Sequence, residues 1–106
     1  MNEGARVGAV SHSAGDTVYV FGYGRYVGDR HENECDTRSI SPRGEALRIA
    51  GFPDPLIQLD DGSFIFGSEC VWGPEDAVKD VLEKFSVVKI VNMADVRRYH
   101  EQRGAA

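Results

Sequence analysis

The chain holds only two cysteines in 106 residues, Cys35 and Cys70, and no CxxC pair, so it has the makings of neither a disulfide framework nor a zinc ribbon. Positive charge is also scarce. Twelve Lys and Arg stand against 17 Asp and Glu, a net charge of −5, which disfavours sequence-independent contact with duplex DNA because that binding relies on neutralising phosphates. No run of about 20 apolar residues occurs, and no basic segment followed by a long apolar stretch is present. We therefore expect a cytoplasmic protein with free thiols and no membrane contact. His12, His31 and His100 are too scattered to supply the closely spaced ligand pair of a metal site, and no triad can be assembled from spacing. We expect no metal, no cofactor and no catalytic residues.

What remains is ordinary globular material: 42% hydrophobic and 27% charged residues, with 12 glycines suited to turns and bent strands. Residues 1–15 show no sustained period and read as a loose N-terminal arm, leaving a single domain over 16–106. Residues 17–24, TVYVFGYG, are β-branched and aromatic and read as a central strand buried on both faces. A long acidic loop, GDRHENECDTRSI, follows. Ser41 as N-cap, Pro42 at the first helical position and Gly51 past the end mark a short helix. Asp61-Gly62 predicts a tight hairpin between residues 56–59 and 63–67.

A second helix opens at Gly73-Pro74-Glu75-Asp76, with Val78, Val81, Leu82 and Phe85 as its apolar stripe. Residues 87–91 read as a buried strand with Lys89 as its one polar outlet, and Asn92 with Asp95 caps a polar helix over 93–103. The pattern is α+β: an antiparallel sheet of four or five strands with two or three helices on one face.

Two segments carry the candidate chemistry. In FGYGRYVGD, residues 21–29, Gly22, Gly24 and Gly28 let backbone N–H groups approach an anion. Tyr23 and Tyr26 can stack on a base, and Arg25 and Arg30 can pair with phosphate. The third glycine falls one residue late for a dinucleotide fingerprint, and the plainer reading of these glycines is a bulged, bent strand. In SECVW, residues 68–72, strand alternation sets Glu69 on the opposite face from Trp72, the only tryptophan. Trp72 reads first as packing, and Glu69 as a carboxylate for a ribose hydroxyl or a cation. The expected ligand site is Gly22, Tyr23, Gly24, Arg25, Tyr26, Arg30, Glu69 and Trp72. Cys70 reads as a buried thiol that behaves as a hydrophobe.

The pairing of FGYGRYVGD with LDDGSFIFGSECVWGPEDAV resembles a group of small bacteriophage and prophage proteins in which GYGxYxGD precedes an L-D-x-G hairpin and a W-G-P-E helix start. This chain departs from that pattern at Phe66 and Ser68, where tryptophan and cysteine are commoner. The resemblance implies a counter-defence role in a bacterial host, by sequestering a nucleotide signal or by binding a defence protein. A weaker likeness links VYVFGYGRY to the YGSL start of gamma-glutamylcyclotransferases, with Arg25 and Tyr26 in place of Ser and Leu. That likeness implies an enzyme with Glu69 as its acid or base.

The leading expectation is a non-enzymatic protein that captures a small anionic, nucleotide-derived ligand. The alternative is an acidic inhibitor that docks on a host defence or nucleic-acid-binding factor through the Asp29–Asp36 loop, with Glu32, Glu34 and Asp36 as its charges. The β-rich 87–91 run, with Val96 and Tyr99 on an otherwise polar helix, adds the expectation of a symmetric homo-oligomer with a shared ligand site.

Overall fold

The longest element is β2, Thr17–Arg30, and the sheet is assembled around it. The computed structural model describes residues 1–105, and among these the chain forms six strands and three α-helices. β1 (Arg6–Ala14), β3 (Asp54–Leu59), β4 (Phe64–Phe66) and β5 (Val71–Pro74) join β2 in an antiparallel path ordered β4-β3-β2-β1-β5. β6 (Val87–Ile90) adds to β2 in parallel, with Thr17 opposite Val87 and Val20 opposite Ile90. The fold is α+β as expected, with β1, from the segment read as an arm, bringing the strand count to six.

The arm expected over residues 1–15 needs correction. Arg6–Ala14 pairs with β2 on one side and β5 on the other, and Val7 and Ala9 are almost wholly buried. Its small residues carry a weak alternation, and register shifts on either side of Val10 break the period that would have exposed it.

β3 and β6 both pair with the same edge of β2, one after the other, so β2 must bend between Val20 and Gly24. It does so at a bulge: Ala9 faces Gly22 and Val10 faces Val20, leaving Phe21 over. Gly22 has φ +121°, a region closed to L side chains. The Asp61-Gly62 hairpin forms as read, with Asp61 Oδ1 accepting from both the Ser63 backbone and its hydroxyl.

The core gathers Val7, Ala9, Tyr26, Ile57, Leu59 and Ile65 under Met93 of α3 (Met93–Ala105). Asn92 caps that helix by accepting from Asp95 N–H. α2 (Glu75–Leu82) lies against β1 and β5 instead, its buried Val78 seated over Gly8, where a Cβ would come within 2.8 Å of Val78 Cγ1. Val7 and Ala9 flank Gly8 and so point to the opposite side of β1, which places α2 and α3 on different faces of that strand.

β6 also needs correction, because all four of its residues are exposed, including Val87, Val88 and Ile90. A β-branched run signals a strand, but what covers it depends on where the helices pack, and here they pack elsewhere.

Candidate functional site

The two expected segments do meet, but in the core. Tyr26 stacks on Trp72 with ring centroids 5.6 Å apart, and its hydroxyl donates to Asp29 at 2.6 Å. That hydrogen bond, helped by burial, pushes the Tyr26 phenol up. Gly24 is buried against β3: a Cβ there would lie 2.2 Å from the Gln58 carbonyl oxygen, so the glycine serves strand packing. Arg30 donates to the carbonyls of Asp29 and Val27. Tyr23 and Arg25 point away from this stack onto the outer side of β2, where Lys79 Nζ lies 5.5 Å from the Tyr23 ring. The eight expected residues therefore do not line one cavity.

Glu69 departs furthest from expectation. It sits in a 3-10 turn, Gly67–Glu69, and strand alternation does not govern it. Its side chain is 2% exposed and accepts from Phe66 N–H, Ile40 N–H and both ends of the Arg97 guanidinium, at 2.8 and 2.9 Å. Arg97 also donates to the carbonyls of Arg38 and Phe64. With both oxygens engaged, Glu69 ties the 3-10 turn, the 31–41 loop and α3 together and has no free lone pair for a cyclotransferase proton transfer.

Around it lies a buried polar knot that no local pattern announced. Asp54, wholly buried, accepts from the Ser68 backbone and its hydroxyl. Ser68 Oγ lies 3.0 Å from Ser39 Oγ, which lies 2.8 Å from Ser41 Oγ, and Ser41 caps α1 (Pro42–Ala50) by accepting from Gly44 N–H. Each hydroxyl has one proton. Since Ser68 gives its own to Asp54, Ser39 must donate to Ser68 and Ser41 to Ser39, so the chain runs from the helix cap to the carboxylate. A Cβ on Gly44 would fall 2.1 Å from Ser39 Oγ, so the knot needs glycine there.

Glu32, 3% exposed, accepts from Ser39 N–H through one oxygen, while its Oε2 is buried with no partner among the described residues. Burial pushes the carboxyls of both Glu32 and Asp54 up, against the hydrogen bonds from Ser39 and Ser68 that favour their ionised forms. The acidic face expected of the Asp29–Asp36 loop is thus reduced: Glu32 turns inward, leaving Glu34 and Asp36 on the surface.

Cys70 packs against the core, and burial pushes its thiol up to about 12. Among the described residues no group of three His, Cys, Asp or Glu could hold a metal, and no helix is long and apolar enough to cross a membrane.

Two clefts stand out. One, of about 370 Å³, is apolar and lies between α2 and β1, with Val10, Val18, Trp72, Val78 and Phe85 in its wall. The other, of about 400 Å³, opens at the start of α1 between Arg38, Arg48 and His100, with the hydroxyl-bearing Ser39 and Ser41 and one carboxylate, Glu45. No family model, curated protein or solved structure matches this chain.

Proposed function

We propose that the chain is a non-enzymatic, phage-type binding protein that captures a small anionic, nucleotide-derived ligand, seated in the cleft at the start of α1. The observation that carries this reading is a concentration of positive charge: Arg38 and Arg48 face the cleft against Glu45 alone, with the His100 ring beside them, in a chain of net charge −5. The volume lies in the range of small-molecule sites, and the first turn of a helix favours anions.

The test is a thermal-shift and calorimetric screen against cyclic di- and trinucleotides and cyclic ADP-ribose isomers. A ligand at 100 times its dissociation constant adds about 2.7 kcal/mol of stability. The joint variant Arg38→Ala, Arg48→Ala should abolish that gain and leave the unliganded melting temperature in place. A screen without hits removes this ligand class, and a hit indifferent to the double variant moves the site elsewhere.

We further propose that a second copy joins at β6, a reading favoured by the exposure of all four residues of that strand. Val87 and Val91 donate their N–H groups to the carbonyls of Asp16, just before β2, and Val20 on β2, so Val88 and Ile90 turn theirs outward. An antiparallel two-fold pairing must then centre on Val88, Lys89 or Ile90. Centring on Lys89 would set two ammonium groups directly opposite, which leaves Val88 or Ile90 as the axis. Light scattering at micromolar concentration should give a multiple of 11.7 kDa that Ile90→Lys reduces to the single-chain mass. A single-chain mass at every concentration rules the pairing out.

A further inference from the structure

Glu32 is the one buried side chain whose polar atom has no partner among the described residues, and its position suggests a use for the defect. The segment from His31 to Ser41 leaves β2 and returns to cap α1; Ser39 N–H on Glu32 closes it on itself, and Ile40 N–H on Glu69, Ser39 Oγ on Ser68 and Arg97 on the Arg38 carbonyl tie it to the rest of the fold. Three carboxylates converge on it, Glu32 from the loop itself, Asp54 from β3 and Glu69 from the 3-10 turn. Arg97 pairs with Glu69 alone. Asp54 has two donors from Ser68 and ends the hydroxyl chain, bonds that favour its anion against the burial that pushes its carboxyl up.

Glu32 has one donor and an orphaned oxygen. The other charges that bear on it are the like charges of Asp54 and Glu69 and the more favourable one of Arg48 on α1. An ionised carboxylate in that position would be desolvated with only the Ser39 N–H to offset its charge, whereas a neutral carboxylic acid leaves one O–H unpaired, a smaller cost than burying the charge.

We propose that Glu32 is a proton-operated latch: as a neutral acid it holds the 31–41 loop closed against β3 and the 3-10 turn, and its ionisation releases that loop. The direction follows from linkage. A carboxyl that titrates higher when closed than when open contributes its full closing free energy below its ordinary range, about 4.3. That contribution is lost as pH rises towards the raised value, the opening constant growing about tenfold per pH unit in between. Arg38, Ser39 and Ser41 lie both on this loop and on the cationic cleft, so the latch would regulate anion capture, a consequence that rests on that proposed function.

The experiment is amide hydrogen exchange at Ser39, corrected for intrinsic base catalysis, from pH 4.5 to 8 without ligand. The wild type should lose about tenfold protection per pH unit over the first part of that range and then level off. Glu32→Gln, which fixes a neutral side chain of the same shape, should give protection independent of pH, and Asp54→Asn should retain the wild-type slope. Flat protection in the wild type, an unchanged slope in Glu32→Gln, or a slope abolished by Asp54→Asn would each overturn the latch. Should Glu32→Gln fail to fold, carbon-13 titration of the wild-type Glu32 carboxyl decides: a midpoint in the ordinary glutamate range overturns the proposal, and one well above it supports it. None of these readings involves a ligand, so the latch and anion capture can fail separately.

Discussion

Replacing Arg97 by Met keeps much of the aliphatic stem and removes the guanidinium that faces Glu69. Four hydrogen bonds go with it, two to the Glu69 carboxylate and one each to the carbonyls of Arg38 and Phe64. The Glu69 side chain is 2% exposed and that of Arg97 16%, so water cannot take the place of the lost donor. Removing one partner from a buried pair leaves an uncompensated charge and costs about 3–5 kcal/mol. That is a large share of the roughly 5–15 kcal/mol that holds a domain together.

At about 4–8 °C per kcal/mol for a domain near 100 residues, the melting temperature should fall by more than about 12 °C in calorimetry. The double variant with Glu69→Gln should recover part of the loss, because the residual penalty in Arg97→Met is a buried charge rather than a missing contact. A loss below about 1 kcal/mol would mean that the pair behaves as a solvated surface bridge. A double variant no more stable than Arg97→Met alone would refute the buried-charge argument itself.

Gly44→Ala should destabilise by about 1–3 kcal/mol in urea unfolding, since its Cβ would meet Ser39 Oγ and Ser68 Oγ at once. Tyr26→Phe should cost about 0.5–1.5 kcal/mol through loss of the bond to Asp29, while Trp72 fluorescence, set by the ring stack, stays in place. Cys70, with its thiol pushed up to about 12, should resist iodoacetamide in the folded protein at pH 8. Mass spectrometry should find Cys35 alkylated first, and equal rates would contradict the burial of Cys70.

The sequence was most legible where a local rule decides the outcome. The cap of α1 by Ser41, the hairpin at Asp61-Gly62 and the cap of α3 by Asn92 each depend on chemistry within four residues, and each forms as read. β1 and β6 depend on tertiary context. β1 carries small residues and a bulge, so its central place is set by its pairing with β2 and β5 rather than by its own pattern. β6 carries as strong a β signal as any segment and yet lies exposed, because Val78 of α2 anchors over Gly8 and Met93 of α3 joins the core. Periodicity reports that a strand has apolar faces; it does not report which of them a helix will reach.

The candidate site shows the same limit in its chemistry. Tyr26 and Trp72 were legible as aromatic anchors, and the structure brings them together, but stacking rings that face each other remove the surface a base would use. Glu69 was legible as a carboxylate with work to do, and its work is to hold Arg97, which lies 28 residues away and gives no local signal. The same separation hid the knot: Glu32, Ser39, Asp54 and Ser68 span 37 positions and meet only because β3 runs back along β2 and brings the 3-10 turn beneath the loop. One signal was available. Serine spacing before Pro42 places Ser39 two residues ahead of the N-cap Ser41, close enough for both hydroxyls to serve one helix start. What turns that pair into a buried relay is Asp54, reached through Ser68, and this long-range closure is why the acidic loop, which composition presents as a solvated edge, folds one of its charges inward.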